Sequence, residues 1–352
     1  MSGIYFITGA YNAESTIRRA IESILGQTHG DFMYYCLDNG SKDATGDIIQ
    51  EYAKKDKRVI PLRHEINCMG RMYNAENRSL VSPMFHDQNG FFAFLDADDE
   101  YHQDFLKTTL SFANENALDM VLSGTEYISP DGSSCVDAPA ETLVLEGEQL
   151  VHRLPEYYNY AVYVWSALIS TRLQPALNFP AQMENAANLQ DAKSMLQMLS
   201  FSRRVGVLPE SLHKYYVTSG SLSFAYTPNW FWWVNEIQQN LRMFILSAGP
   251  MSKQNEDFLN KRFFTGLEFM LKRLRMANVS TATRALDMID VFDDERTRTL
   301  LALNWKNIGI TVEKHAFLQE NLSWASAQTD DDSAHNLIRQ LVDMLENLLR
   351  EY

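Results

Sequence analysis

The chain has 352 residues, 45% of them hydrophobic and 22% charged, which is enough apolar material for about two globular domains. Its 31 Lys and Arg stand against 45 Asp and Glu, a net charge of -14; that argues against nucleic acid bound through a basic face, while a phosphate-bearing small ligand screened by a metal stays open. Cys36, Cys68 and Cys135 are odd in number and widely spaced, the pattern of reduced thiols in a cytoplasmic protein. No basic leader precedes an apolar stretch at the start, and no run reaches the roughly 20 apolar residues of a membrane span; peripheral contact with the inner face of a membrane stays open.

Gly3–Thr8 reads as a first buried strand, Gly9–Asn12 as a turn, and a helix is expected from about Ala13 with Asn12 as its N-cap. Ile17, Ala20, Ile21, Ile24 and Leu25 then recur at helical spacing and form one apolar face. Phe32–Leu37 is the second strand, Asp38–Asp43 a loop of turn-forming residues, and Ile48, Ile49, Tyr52 and Ala53 mark the next helix. Arg58–Leu62 is a third strand, and a loop and helix are expected over about Asn67–Val81. Phe91–Leu95 is a continuous apolar run, the signature of a strand buried on both faces of a parallel sheet. It ends in Asp96, Asp98 and Asp99. A helix with Phe105, Leu106, Thr109, Phe112 and Ala113 follows, then a strand over Asp119–Ser123 and a hairpin of Glu126–Ser129 with Cys135–Asp137. Tyr160–Ser170 is β-leaning, Gln182–Ser202 is helical and Arg204–Leu208 is a short strand. The alternation predicts βαβ units in a doubly wound sheet. From about Trp230 no strand is expected. Amphipathic helices run to the end, the last with Leu337, Ile338, Leu341, Val342, Leu345, Leu348 and Leu349 on one face, as core or as the seam of a homodimer. A domain boundary is expected near residue 227.

In open α/β sheets ligands bind beyond the carboxyl ends of the strands, so Asp96, Asp98 and Asp99 stand where a ligand would sit. Packed carboxylates repel unless a cation or protons neutralise them, and hard oxygen ligands suit magnesium or manganese. The alternative is a polar strand-to-helix loop in which Asp99 caps the next helix. His213 reads first as a surface or hydrogen-bonded histidine, with an added metal ligand as the alternative. Trp230-Phe231-Trp232-Trp233, with Ile237 and Leu241, reads as a buried helix face joining the two domains in preference to a sugar platform or a membrane foot.

Five segments, taken together over about residues 3–223, resemble the family 2 glycosyltransferases. They are Ala10–Glu14 with Ala20–Thr28 and Asp31-Phe32; Leu37–Thr45; Leu95–Asp99, which resembles a DxD motif; Leu189-Gln190-Asp191; and Tyr215–Val217 with Ser219–Ser223. The resemblance implies a GT-A fold, a Rossmann-like, doubly wound, mostly parallel α/β sheet, in a catalytic domain over residues 1–227, with an all-helical C-terminal domain over 228–352. It implies an inverting enzyme, dependent on Mn2+ or Mg2+, that uses a nucleotide-diphosphate sugar as donor and a saccharide or lipid-linked glycan as acceptor.

By the same resemblance Asp98 is the principal metal ligand, Asp96 holds the ribose hydroxyls or the metal, and Tyr11 packs on the base. Thr8, Ala10, Glu14, Asp38, Asn39 and Ala97 line the nucleotide-sugar pocket, and Asp191 is the general base. Three positions depart from the family pattern. Asn39 replaces an acid that reads uracil, so uridine is favoured without being fixed. Glu76 stands where an arginine is usual, leaving Arg71 or Arg78 to supply that charge. Gln190 replaces the acid beside the base. These departures keep open an alternative on the same fold, a catalytically weak nucleotide-sugar-binding or assembly protein.

Overall fold

The structure is a computed structural model that describes residues 3–65, 89–176, 187–218, 230–301 and 312–328, with Asn336, 338–340 and Asp343 beyond them. The expected helix within 67–81, Arg71, Arg78, Glu76, the segment 219–223 and most of the terminal leucine face lie outside the described residues. The chain separates into two compact units, Met1–Ser221 and Leu222–Tyr352.

The first unit is built on a ten-stranded sheet. Its first four strands are β1 (Ile4–Ala10), β2 (Met33–Asn39), β3 (Val59–His64) and β4 (Phe91–Phe94). Next come β5 (Glu100–Tyr101), β6 (Met120–Ile128) and β7 (Ser134–Asp137). The last three are β8 (Leu143–Glu146), β9 (Ala167–Ser170) and β10 (Arg204–Tyr216). The order is β3-β2-β1-β4-β9-β6-β10-β5, with β7 beside β6 and β8 beside β10. Neighbours β3, β2, β1 and β4 are parallel, β9 is antiparallel to both β4 and β6, and β10 is parallel to β6. The main strands therefore share one direction, and their carboxyl ends share one edge. β1 is buried along its whole length, as a strand covered on both faces must be.

The crossovers are α1 (Ile17–Leu25), α2 (Thr45–Lys55) and α3 (Phe105–Asn116). Helix α1 buries Ile17, Ala20, Ile21 and Ile24, the face set by the apolar spacing, and each isoleucine contributes about 1.5–3 kcal/mol of burial. Phe6 of β1 meets Phe32 edge-on at 5.1 Å, and Tyr101 stacks on Phe105 at 3.8 Å. Two single-turn helices follow β8, α4 (Gln149–His152) and α5 (Leu154–Tyr157). Helix α6 (Ala187–Phe201) then leads into β10.

Three local expectations are corrected. Helix α1 starts at Ile17 rather than near Ala13, and Asn12 is not its cap. Asn12 takes the left-handed backbone region, φ 48°, and its Oδ1 accepts from Lys42 N at 2.8 Å; a contact between loops replaces the local cap. β10 is a 13-residue strand rather than a short one, its pairing with β6 shifting between Val207 and Ser211, around Pro209, where a residue without an N–H is tolerated at a bulge. β5 and β8 were not expected, each being too short to set an apolar period.

The second unit contains α7 (Trp230–Ser247), α8 (Lys253–Met276), α9 (Thr281–Asp293), α10 (Glu295–Leu301) and α11 (Val312–Ser326). No strand occurs in it among the described residues. Ser252 and Ser280 cap α8 and α9, accepting from Asn255 N at 3.1 Å and Thr283 N at 3.0 Å, contacts worth about 1 kcal/mol each. Leu241, Ile245, Leu259, Phe263, Leu267, Met288 and Phe292 are buried as its core. The aromatic run was expected to be buried throughout, and Trp232 is instead 57% exposed. The apolar side of α7 is carried by Leu241, Phe244 and Ile245, and Trp232 falls off that side. No helix among the described residues is long and apolar enough to cross a membrane.

Candidate active site

The register fixes where the chemistry can sit. Ala10 is level with Asp38, and Ile7 with Phe94, so the ends of β1, β2 and β4 deliver the Ala10–Tyr11 turn, Asp38-Asn39 and Asp96 to one edge. Thr8, Ala10, Asp38, Asn39 and Ala97 are buried there, Tyr11 is half-buried and Glu14 is exposed.

Two loops frame this edge and are stitched together by backbone and short side chains. Asn12 N donates to Ser41 Oγ at 3.0 Å, Ala13 N to Thr45 Oγ1 at 2.8 Å and Glu14 N to Asp43 Oδ2 at 3.1 Å. In return, Ala44 N donates to the Glu14 carboxylate at 2.9 Å. Glu14, Asp43 and Thr45 thus hold the rim of the pocket. Asp38 Oδ1 accepts from Ser41 N at 2.9 Å, and Arg63 Nε lies 3.5 Å from its other oxygen.

The Ser-Ile-Leu-Gly-Gln-Thr phrase has an equally local purpose. Gln27 is buried; its Nε2 donates to Ser23 O and His102 O, and its Oε1 accepts from Leu106 N at 2.9 Å. Thr28 Oγ1 donates to Asp104 at 2.8 Å, and Ser23 Oγ accepts from Tyr101 N at 3.2 Å. Tyr101 in turn donates its hydroxyl to Phe94 O at 2.6 Å. The motif therefore clamps the segment on both sides of the acidic turn.

In that turn Asp96 is open to the cleft, Asp98 is half-buried and Asp99 is buried. Surrounding protein mass, with Asp99 and Asp98 nearby, pushes the Asp96 carboxyl up to about 8. Burial and then Asp98 hold Asp99 well above the carboxylate range, against a 2.9 Å hydrogen bond from Tyr216 N. Burial also raises Asp98, opposed by Arg19 and His213. Asp99 is not a helix cap; it faces β10. His213 Nε2 lies 3.3 Å from Asp99 Oδ2, off the line of a hydrogen bond, and both atoms are buried without a hydrogen-bond partner. The His213 ring is fully buried, stacked on Trp165 at 4.5 Å, and burial drives it down to about 3. It is a buried, hydrogen-bonded histidine rather than a surface one, its Nδ1 3.5 Å from Thr125 Oγ1, and burial favours the neutral ring.

Asp191, on α6, is half-buried. Burial, and then the charge of Asp96, push its carboxyl up to about 8. Two aspartates 95 positions apart in sequence (191 against 96) are therefore electrostatically coupled. Sequence reasoning missed Arg19. It donates to Asp98 O, lies 3.4 Å from Glu100 and sits 3.6 Å over the Tyr216 ring, tying the acidic turn to the end of β10. Helical spacing marks Arg19 only as lying off the buried face, so no sequence signal distinguishes it from a solvated arginine.

Asp99 Oδ2 and His213 Nε2, a carboxylate oxygen and an imidazole nitrogen, are the buried atoms left without a hydrogen-bond partner beside Asp98. Among the described residues no three acidic, histidine or cysteine side chains form a group that could hold a metal ion.

This sheet, with its acidic edge, has the GT-A fold. Residues 5–167 match the family model for glycosyl transferase family 2. TuaG of Bacillus subtilis strain 168, named for a glycosyltransferase of teichuronic acid biosynthesis, is 26% identical over 220 residues, 62% of this chain and 80% of TuaG. EpsJ, a glycosyltransferase of the same strain, is 26% identical over 223 residues, 62% of each chain. Among solved structures, S. aureus TarS 1-349 in complex with UDP aligns with a TM-score of 0.51 at 16% identity, over 99% of this chain and 91% of that one. Another TarS 1-349 crystal structure gives 0.55 at 17% identity, over 85% and 90%. Those likenesses bear out the fold.

Proposed function

We propose that the chain moves a sugar from a nucleoside diphosphate sugar, a UDP-sugar favoured, to a hydroxyl of a saccharide or lipid-linked glycan, with inversion at the anomeric carbon. The observation that carries this reading is that the carboxyl ends of β1, β2 and β4 bring the Ala10–Tyr11 turn, Asp38-Asn39 and the acidic Asp96–Asp99 turn to one edge of the sheet; Asp191 is proposed as the base on the resemblance and on the upward push that Asp96 gives its carboxyl. TarS complexes with UDP and UDP-GlcNAc support the donor class. In this reading Tyr11, Asp38 and Asn39 take the base, and Asp96 takes the ribose. Arg71, outside the described residues, is proposed for the donor on resemblance alone. Mn2+ or Mg2+ would be held by Asp98 and His213 and would supply positive charge to the departing diphosphate. Asp191 takes the proton of the acceptor hydroxyl as that oxygen attacks from the face opposite the diphosphate.

Incubating the protein with Mn2+ and UDP-, GDP- and dTDP-sugars tests this. Slow release of UDP from a UDP-sugar is expected without acceptor. Binding without turnover, even with saccharide acceptors, would favour the nucleotide-sugar-binding alternative, and no binding would end both. Gly46 provides a check on the base pocket. A methyl group there would stand 2.6 Å from Asp38 Oδ2, so the carboxylate must move. Gly46→Ala is expected to raise the donor KM about tenfold with kcat little changed, the pattern of lost uniform binding.

A further inference from the structure

The helical unit holds a groove of about 1210 Å³ lined by α7, the start of α8 and the start of α10. Such faces ordinarily pack together with apolar side chains; these do not. On α7, Trp232, Asn235, Gln239 and Met243 recur at helical spacing along the groove. On α8 the lining positions Lys253, Glu256, Asp257 and Asn260 have the same spacing. Trp232 is 57% exposed, and Asn235 Oδ1 is buried without a hydrogen-bond partner, while its Nδ2 reaches Asp294 at 3.5 Å. An exposed indole beside planar amides and carboxylates is the chemistry that receives a sugar ring, the apolar face of the sugar on the aromatic and vicinal hydroxyls on the paired oxygens and nitrogens. Charge narrows the class. The lining has five carboxylates against three cations. One of those cations, Lys253, is already paired with Asp257 at 2.7 Å, and the guanidinium of another, Arg296, lies 4.7 Å over the Phe263 ring. A phosphate- or uronate-rich chain would be repelled.

We propose that this groove binds an uncharged saccharide chain, the glycan that serves as acceptor. The identification as acceptor rests on the transferase reading above; the binding does not. The full-length protein, free of metal and donor, is applied to an array of neutral and anionic oligosaccharides, with circular dichroism confirming that each variant is folded. Retention confined to neutral glycans is expected, weakened about tenfold by Trp232→Ala, as for a central aromatic contact, and likewise by Asn235→Leu. Release of UDP without acceptor is expected to be unchanged in Trp232→Ala. Retention of anionic glycans, no retention of neutral ones, or equal retention by Trp232→Ala would overturn the proposal. Neutral-glycan binding that survives in a protein unable to turn over any nucleotide sugar would support the groove while removing the transferase reading.

Discussion

Asp191→Asn is expected to leave donor affinity intact and to cut sugar transfer by roughly 10²–10⁴-fold, the usual contribution of a positioned base. Asparagine keeps the shape and loses the proton acceptor. The pH dependence of the unsubstituted protein gives a second reading of the same group. Burial and Asp96 hold the Asp191 carboxyl up to about 8, so in the free protein the base form is scarce at neutral pH. The kcat/KM profile, which reports the free protein, should rise through about pH 8 and flatten above it. Positive charge brought in with the donor offsets Asp96, favours the ionised form of Asp191 and moves the kcat limb to lower pH. Asp191→Asn should erase that limb at the reduced rate. A variant with full activity, or an unshifted limb, would place the base elsewhere.

The amino-terminal half was legible because its signals are local. β1 and β4 are unbroken apolar runs, α1 shows its face by spacing alone, and the acidic turn follows directly on a buried strand. The Gln27-Thr28 phrase could be recognised but not explained from sequence, since its partners, His102, Asp104 and Leu106, lie some 75 or more residues away. His213 shows the limit most clearly. Its environment is assembled from Trp165, Thr125 and the Asp99–Tyr101 stretch, three separate segments, and no periodicity in Arg204–Tyr216 reveals that it faces inward. Trp232 was misread for a related reason: an aromatic run looks like core wherever it occurs, and only the packed side of the helix decides which member is left outside.

Asp98→Ala should abolish metal-dependent turnover, a loss of about 10³-fold or more if the cation supplies several kcal/mol to the departing diphosphate, and it should at the same time make the metal-free protein more stable at pH 8. The sign follows from the carboxyls. Desolvation raises Asp96, Asp98, Asp99 and Asp191 above their ordinary values, and acidic neighbours add to the rise at Asp96, Asp99 and Asp191, so the folded chain binds more protons than the unfolded one. Its stability therefore falls as pH rises from the carboxylate range towards about 8. His213, held down to about 3, works in the opposite direction only up to its ordinary value near 6.5. The interval from about pH 6.5 to 8 belongs to the carboxyls alone. Across it, Tm without metal should decline, and the rise in Tm produced by Mn2+ should grow, because the ion replaces the departing protons at the same oxygens. Asp98→Ala removes one repelling charge, so its decline should be shallower and its response to Mn2+ largely lost. A variant that kept the full Mn2+ response would show that the ion is held by other groups, and one that melted lower than the unsubstituted protein at pH 8 would show that Asp98 is stabilised by Arg19 and His213 more than it is opposed by its acidic neighbours.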